Sequence, residues 1–78
     1  MRERRDYVVI TFRTTTEAMS MEHKCEQQQI PGRLIPVPTQ ITAGCGLAWR
    51  ILPEDYMAQK EALDELGINF EKVVTVRI

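Results

Sequence analysis

The chain has 78 residues, 44% of them hydrophobic and 27% charged, with a formal net charge of -1. That length builds one domain and excludes a second, and the balance of 10 basic against 11 acidic residues gives no general pull toward nucleic acid or an anionic membrane. No apolar run approaches the ~20 residues of a membrane span and the charged start lacks the apolar segment of a signal peptide, so the expected location is the cytoplasm, with both cysteines as reduced thiols. One histidine and no Cys-x-x-Cys leave no metal-ligand spacing, and neither a metal nor a cofactor is expected.

Residues 1–6 carry Arg2, Arg4 and Arg5, interrupted by Glu3 and followed by Asp6, and read as a solvated charged leader ahead of a single domain over residues 7–78. Tyr7 to Phe12 is rich in β-branched and aromatic residues and is short enough to be a strand. The period of two puts Val8, Ile10 and Phe12 on the core face and Tyr7, Val9 and Thr11 on the other. Thr14 followed three residues later by Glu17 fits a capping box, which predicts a helix running to about Gln28. Its apolar stripe is Ala18, Met21 and Cys25, with Glu17, Lys24, Gln27 and Gln28 mostly outside and His23 exposed on the other side. Cys25 on that stripe reads as a small buried hydrophobe.

Ile30-Pro31-Gly32 ends the helix, and Arg33 to Val37 follows as a second strand. Pro36 and Pro38 lack amide donors on the same side of that strand, so an edge position that turns this side to solvent is expected. Leu47 to Leu52 reads as a third strand, with Leu47, Trp49 and Ile51 inward and Ala48 and Arg50 on the open side. Pro53, Glu54 and Asp55 suit a helix first turn, and Ala58, Ala62, Leu63 and Leu66 give that helix its stripe before a terminating Gly67. Lys72 to Ile78 is the last strand, expected with Val74, Val76 and Ile78 inward and Val73, Thr75 and Arg77 outward. The order strand, helix, strand, strand, helix, strand predicts an α+β, ferredoxin-like βαββαβ split sandwich. That arrangement is a four-stranded antiparallel sheet in the order 4-1-3-2, with two helices on one face.

One stretch looks chosen for something besides folding. In Thr39 to Trp49, Cys45 stands between Gly44 and Gly46 with small or hydroxylated neighbours. Glycines permit unusual torsions and close approach by another molecule, so the residues read either as a presented thiol or as a flexible connection in which cysteine is a small filler. The topology brings this loop to the end of the first strand, beside Arg13, Thr14, Thr15 and the free amides of the helix start. A guanidinium and a helix N-terminus there would favour thiolate over thiol. The Thr39 and Thr42 hydroxyls are further hydrogen-bonding candidates. Cys25 lies about ten residues along the helix, roughly 15 Å away by the helical rise, so a Cys25 to Cys45 bridge is not expected.

Ile35-Pro-Val-Pro followed by Ile41-Thr-Ala-Gly-Cys-Gly-Leu-Ala, with Tyr7-Val-Val-Ile-Thr-Phe and Thr16-Glu-Ala-Met upstream, resembles a family of short bacterial proteins described as selenium or sulfur carrier-like. The likeness runs from Tyr7 to Ile78; where that family commonly has serine this chain has Thr42, which keeps a hydroxyl. The resemblance implies that Cys45 carries sulfur or selenium as a persulfide or selenosulfide. It also implies donor and acceptor proteins as partners. The competing reading is a non-catalytic module that dimerises or binds a ligand through the open sheet face. RNA binding is disfavoured because parity turns Phe12 and Trp49 inward and leaves only Tyr7 on that face. No phosphate loop, paired carboxylates or nucleophile-base pair marks a conventional enzyme.

Overall fold

The computed structural model describes residues 5–41 and 44–78. Along the chain lie β1 (Asp6–Thr11), α1 (Thr15–Gln28), β2 (Arg33–Pro36), β3 (Leu47–Ile51), α2 (Pro53–Ala58), α3 (Lys60–Glu65) and β4 (Lys72–Arg77). The strands form one sheet in the order β2-β3-β1-β4, which counted from the β4 edge runs 4-1-3-2. Every neighbouring pair is antiparallel. The fold is thus α+β with an open sheet. Its core joins Val8, Ile10, Phe12, Trp49 and Ile51 from the strands to Ala18, Met21, Cys25 and Leu63 from the helices, so the helical layer covers one face.

α1 begins as its sequence dictates. The Thr14 hydroxyl accepts from the Glu17 amide and donates to the Glu17 carboxylate, both at 3.2 Å. Ala18, Met21 and Cys25 are fully buried along one stripe, with Phe12 and Ile10 beneath them in the same cluster. The stop comes just ahead of Ile30-Pro31-Gly32. Gln29 adopts a left-handed conformation (φ 57°), and its amide turns back to the Cys25 and Glu26 carbonyls. Ile30 follows with a 2.8 Å bond to the Cys25 carbonyl and drops into the core.

β2 lies at the sheet edge, as its prolines require. The Val37 amide donates to the Gly46 carbonyl at 3.0 Å, which turns the alternate nitrogens of Pro36 and Pro38 to the outer rim where no donor is needed.

Three expectations are corrected. β1 starts at Asp6, and Arg5 exchanges both backbone bonds with Ile78, so the sheet reaches into the stretch expected as leader. The second helix is two short ones, broken at Gln59 (φ -104°, ψ 12°). Its stripe is redrawn accordingly: Ala58 is exposed, and Tyr56 packs on the core with Ala62, Leu63 and Leu66.

The third correction concerns β4. Val74 pairs with Val9 and Val76 with Tyr7, whereas Val73 pairs with Ile10 and Thr75 with Val8. Directly opposed residues share a face, so Val74 and Val76 lie on the open face, the reverse of the expected parity. Val73 sits on the helical side yet remains 44% exposed, because the helices do not reach over it. Val9, Thr11 and Ala48 lie on the open face as expected and are fully buried there. They occupy the two central strands.

Candidate functional site

The loop after β2 returns to the end of β1, where β1 hands over to α1. Gly44 lies against the Arg13 backbone: a Cβ there would stand 3.2 Å from the Arg13 carbonyl oxygen and 3.5 Å from its Cα. Only a residue without a side chain fits so near another backbone without displacing it. Gly46 has a different reason to be glycine. Its φ of 79° is left-handed, and nothing lies within 4 Å of a Cβ built on it, so conformation and not crowding selects it.

Between them Cys45 is half-buried and packs against the edge of the hydrophobic core. Its Sγ donates to the Leu47 carbonyl at 3.5 Å. The thiol therefore rests as a donor with its sulfur lodged between core and solvent. Cys25 contrasts with it: fully buried, with burial pushing its thiol from 9.0 up to about 11. Both cysteines are free.

The side chain that holds the loop is one that the sequence reading missed. Glu71, just before β4, accepts from the Gly44 amide at 3.2 Å and from the Thr11 hydroxyl at 3.2 Å, through the same carboxylate oxygen. Its own amide donates to the Thr11 carbonyl at 2.8 Å. Thr11 is fully buried, so its hydroxyl needs an internal partner, and Glu71 supplies it. No local pattern announces a carboxylate that acts across 60 residues of chain.

The residues expected around Cys45 are only partly brought together. Arg13 meets Gly44 through its backbone, while the residue also lines, with Glu17, Ile68, Asn69 and Phe70, a groove of about 560 Å³. The Thr14 hydroxyl is engaged in capping α1. Thr15 is exposed in the first turn of that helix. Thr42 lies outside the described residues. Among the described residues no group of three or more His, Cys, Asp or Glu side chains is arranged to hold a metal ion, and no helix is long and apolar enough to cross a membrane.

An antiparallel α+β sheet that ends in a glycine-flanked thiol, with its other cysteine buried, defines a small thiol-bearing domain. The chain belongs to the family described as "Putative Se/S carrier protein-like", which matches residues 7–75. No curated protein and no solved structure matches the chain.

Proposed function

We propose that the protein is a thiol-based carrier in which Cys45 accepts sulfur or selenium from a donor protein and yields it to an acceptor protein. Family membership supports the class of function, and the contrast between the two thiols supports the choice of residue. Cys25 is sealed in the core and holds its proton to about 11, whereas Cys45 borders solvent between two glycines.

The transfer balances without an added oxidant. Cys45 first gives up the proton it directs at the Leu47 carbonyl. Its thiolate then attacks the outer sulfur of a donor persulfide: a new sulfur–sulfur bond forms at Cys45, the donor's own sulfur–sulfur bond breaks, and the donor leaves as a thiolate. With selenium the outer atom differs and the bookkeeping is the same. The glycines contribute by keeping bulk away from the sulfur, so that two protein surfaces can meet there. Arg13 and Thr15, together with Thr42 outside the described residues, are proposed to guide the incoming donor.

The test is loading with a low-molecular-weight persulfide, read by intact mass and peptide mapping. Wild type and Cys25→Ser should each gain one sulfur on Cys45, and Cys45→Ser should gain none while retaining its fold by circular dichroism. Loading that persists in Cys45→Ser, or maps to Cys25, refutes the assignment.

A second reading, dimerisation through the open sheet face, gains weight from the β4 register, which adds Val74 and Val76 to the face already carrying Tyr7 and Ile35. Sedimentation at increasing concentration decides it: a tight dimer unaffected by Cys45→Ser favours the module over the carrier, and a monomer removes it.

A further inference from the structure

At the end of the sheet away from the Cys45 loop, two arginines face each other. Arg33 of β2 and Arg50 of β3 are direct antiparallel partners, so both side chains rise from the open face. Like charges directly opposed across strands are destabilising unless an opposite charge relieves them. Here none does. Among the described residues neither arginine has an ion-pair partner.

Arg50 is instead held by stacking, its guanidinium carbon 4.8 Å from the centre of the Tyr7 ring. Stacking occupies the flat face of a guanidinium and leaves the N–H groups at its edge free to donate. Tyr7, Arg33 and Arg50 together line a cavity of about 280 Å³, closed on one side by the Pro31-Gly32 turn. Asp55 also lines that cavity, which reduces the local excess from two positive charges to one. The cavity lies three residues along β3 from Leu47, roughly 10 Å from the carrier loop by the strand rise, and so is a separate feature.

We infer that this cavity is an oxyanion site that binds the phosphate group of a small molecule between Arg33 and Arg50. A tetrahedral anion supplies the charge that the arginine pair lacks. Its several oxygens accept from two guanidinium forks at once, the geometry in which arginine outperforms lysine. Tyr7 fixes one fork in advance, which lowers the ordering cost of binding.

Inorganic phosphate is the probe. Backbone amide spectra of the intact chain are followed as sodium phosphate replaces sodium chloride at constant ionic strength and neutral pH, in wild type and Arg33→Gln. Saturable shifts at Tyr7, Gly32, Arg33 and Arg50, weakened at least tenfold in Arg33→Gln, are the expected result. Phosphate should also raise the thermal midpoint of wild type and leave that of Arg33→Gln unmoved. Because Arg33 is exposed, its replacement should leave the fold intact, and without phosphate the variant should melt no lower than wild type once the like-charge pair is gone. Non-saturating shifts spread over all basic residues, or a saturable response retained in Arg33→Gln, would overturn the assignment.

Discussion

The Glu71 carboxylate receives the Gly44 amide at 3.2 Å, joining the start of the last strand to a loop 27 residues earlier in the chain. The same oxygen takes the buried Thr11 hydroxyl, so one side chain both satisfies the sheet and pins the loop that carries Cys45.

Removing that carboxylate should loosen the loop and orphan Thr11. Glu71→Ala is expected to cost about 1–2 kcal/mol, the scale for hydrogen bonds to a charged acceptor that is partly exposed. In a domain of this size each kcal/mol lowers the thermal midpoint by roughly 4–8 °C. Glu71→Gln keeps an acceptor oxygen and should lose less than half as much. Thermal melts rank the two, and amide exchange at Gly44 should accelerate in the alanine variant.

Cys25 gives a stability effect with a defined pH window. Its thiol is raised from 9.0 to about 11 in the folded chain, so between those values the folded state holds a proton that the unfolded state has released. Stability is therefore intact below about pH 9 and declines as pH rises toward 11, by an amount on the order of 2 kcal/mol. Urea midpoints of wild type and Cys25→Ala across this range check it. The variant should be less stable at pH 8 from the lost packing, and the gap between the two should narrow as pH rises.

The thiols should also separate kinetically. At pH 7.5 an alkylating reagent is expected to modify Cys45 in the native protein and to reach Cys25 only through unfolding. Urea below the transition should then speed modification of Cys25 steeply and of Cys45 slightly. Mass spectrometry of the two peptides over time provides the rates, and equal rates in native buffer contradict the burial described for Cys25.

Two glycines should respond differently to alanine. A Cβ on Gly32 would overlap the Trp49 indole, and its φ of 135° is itself unfavourable to alanine. Gly32→Ala is expected to cost more than about 2 kcal/mol, with a shift in Trp49 fluorescence. Gly46→Ala meets open space and should pay only the left-handed torsion, about 1–2 kcal/mol. Urea unfolding followed at Trp49 distinguishes the two.

The parts legible in the sequence were those written locally. The Thr14 and Glu17 spacing marked the start of α1, the Ala18, Met21 and Cys25 stripe marked its buried side, and Pro36 marked an edge strand. The parts that escaped depend on distant partners. Lys72-Val-Val-Thr-Val-Arg is apolar on both parities, so its face is set by pairing with β1 and not by its own pattern. The break at Gln59 carries no glycine or proline to announce it. Nothing local singles out Glu71, whose role depends on the sheet placing it beside Thr11 and Gly44. The approach of the loop to Arg13 followed from topology, yet which groups meet there did not, because topology places backbones and only packing places side chains.

The two rims of the sheet are chemically unequal. On the β2 side Pro36 and Pro38 leave few amides with which an added strand could bond, while the β4 strand Lys72–Arg77 contains no proline. Backbone pairing between copies is therefore disfavoured at the β2 rim. Two chains joined at their β4 rims would present proline-bearing rims at both ends of an eight-stranded ribbon, where further lengthening is disfavoured. The prolines thus act as terminators: they bias this route of self-association toward a pair and against the open-ended stacking that leads to fibres.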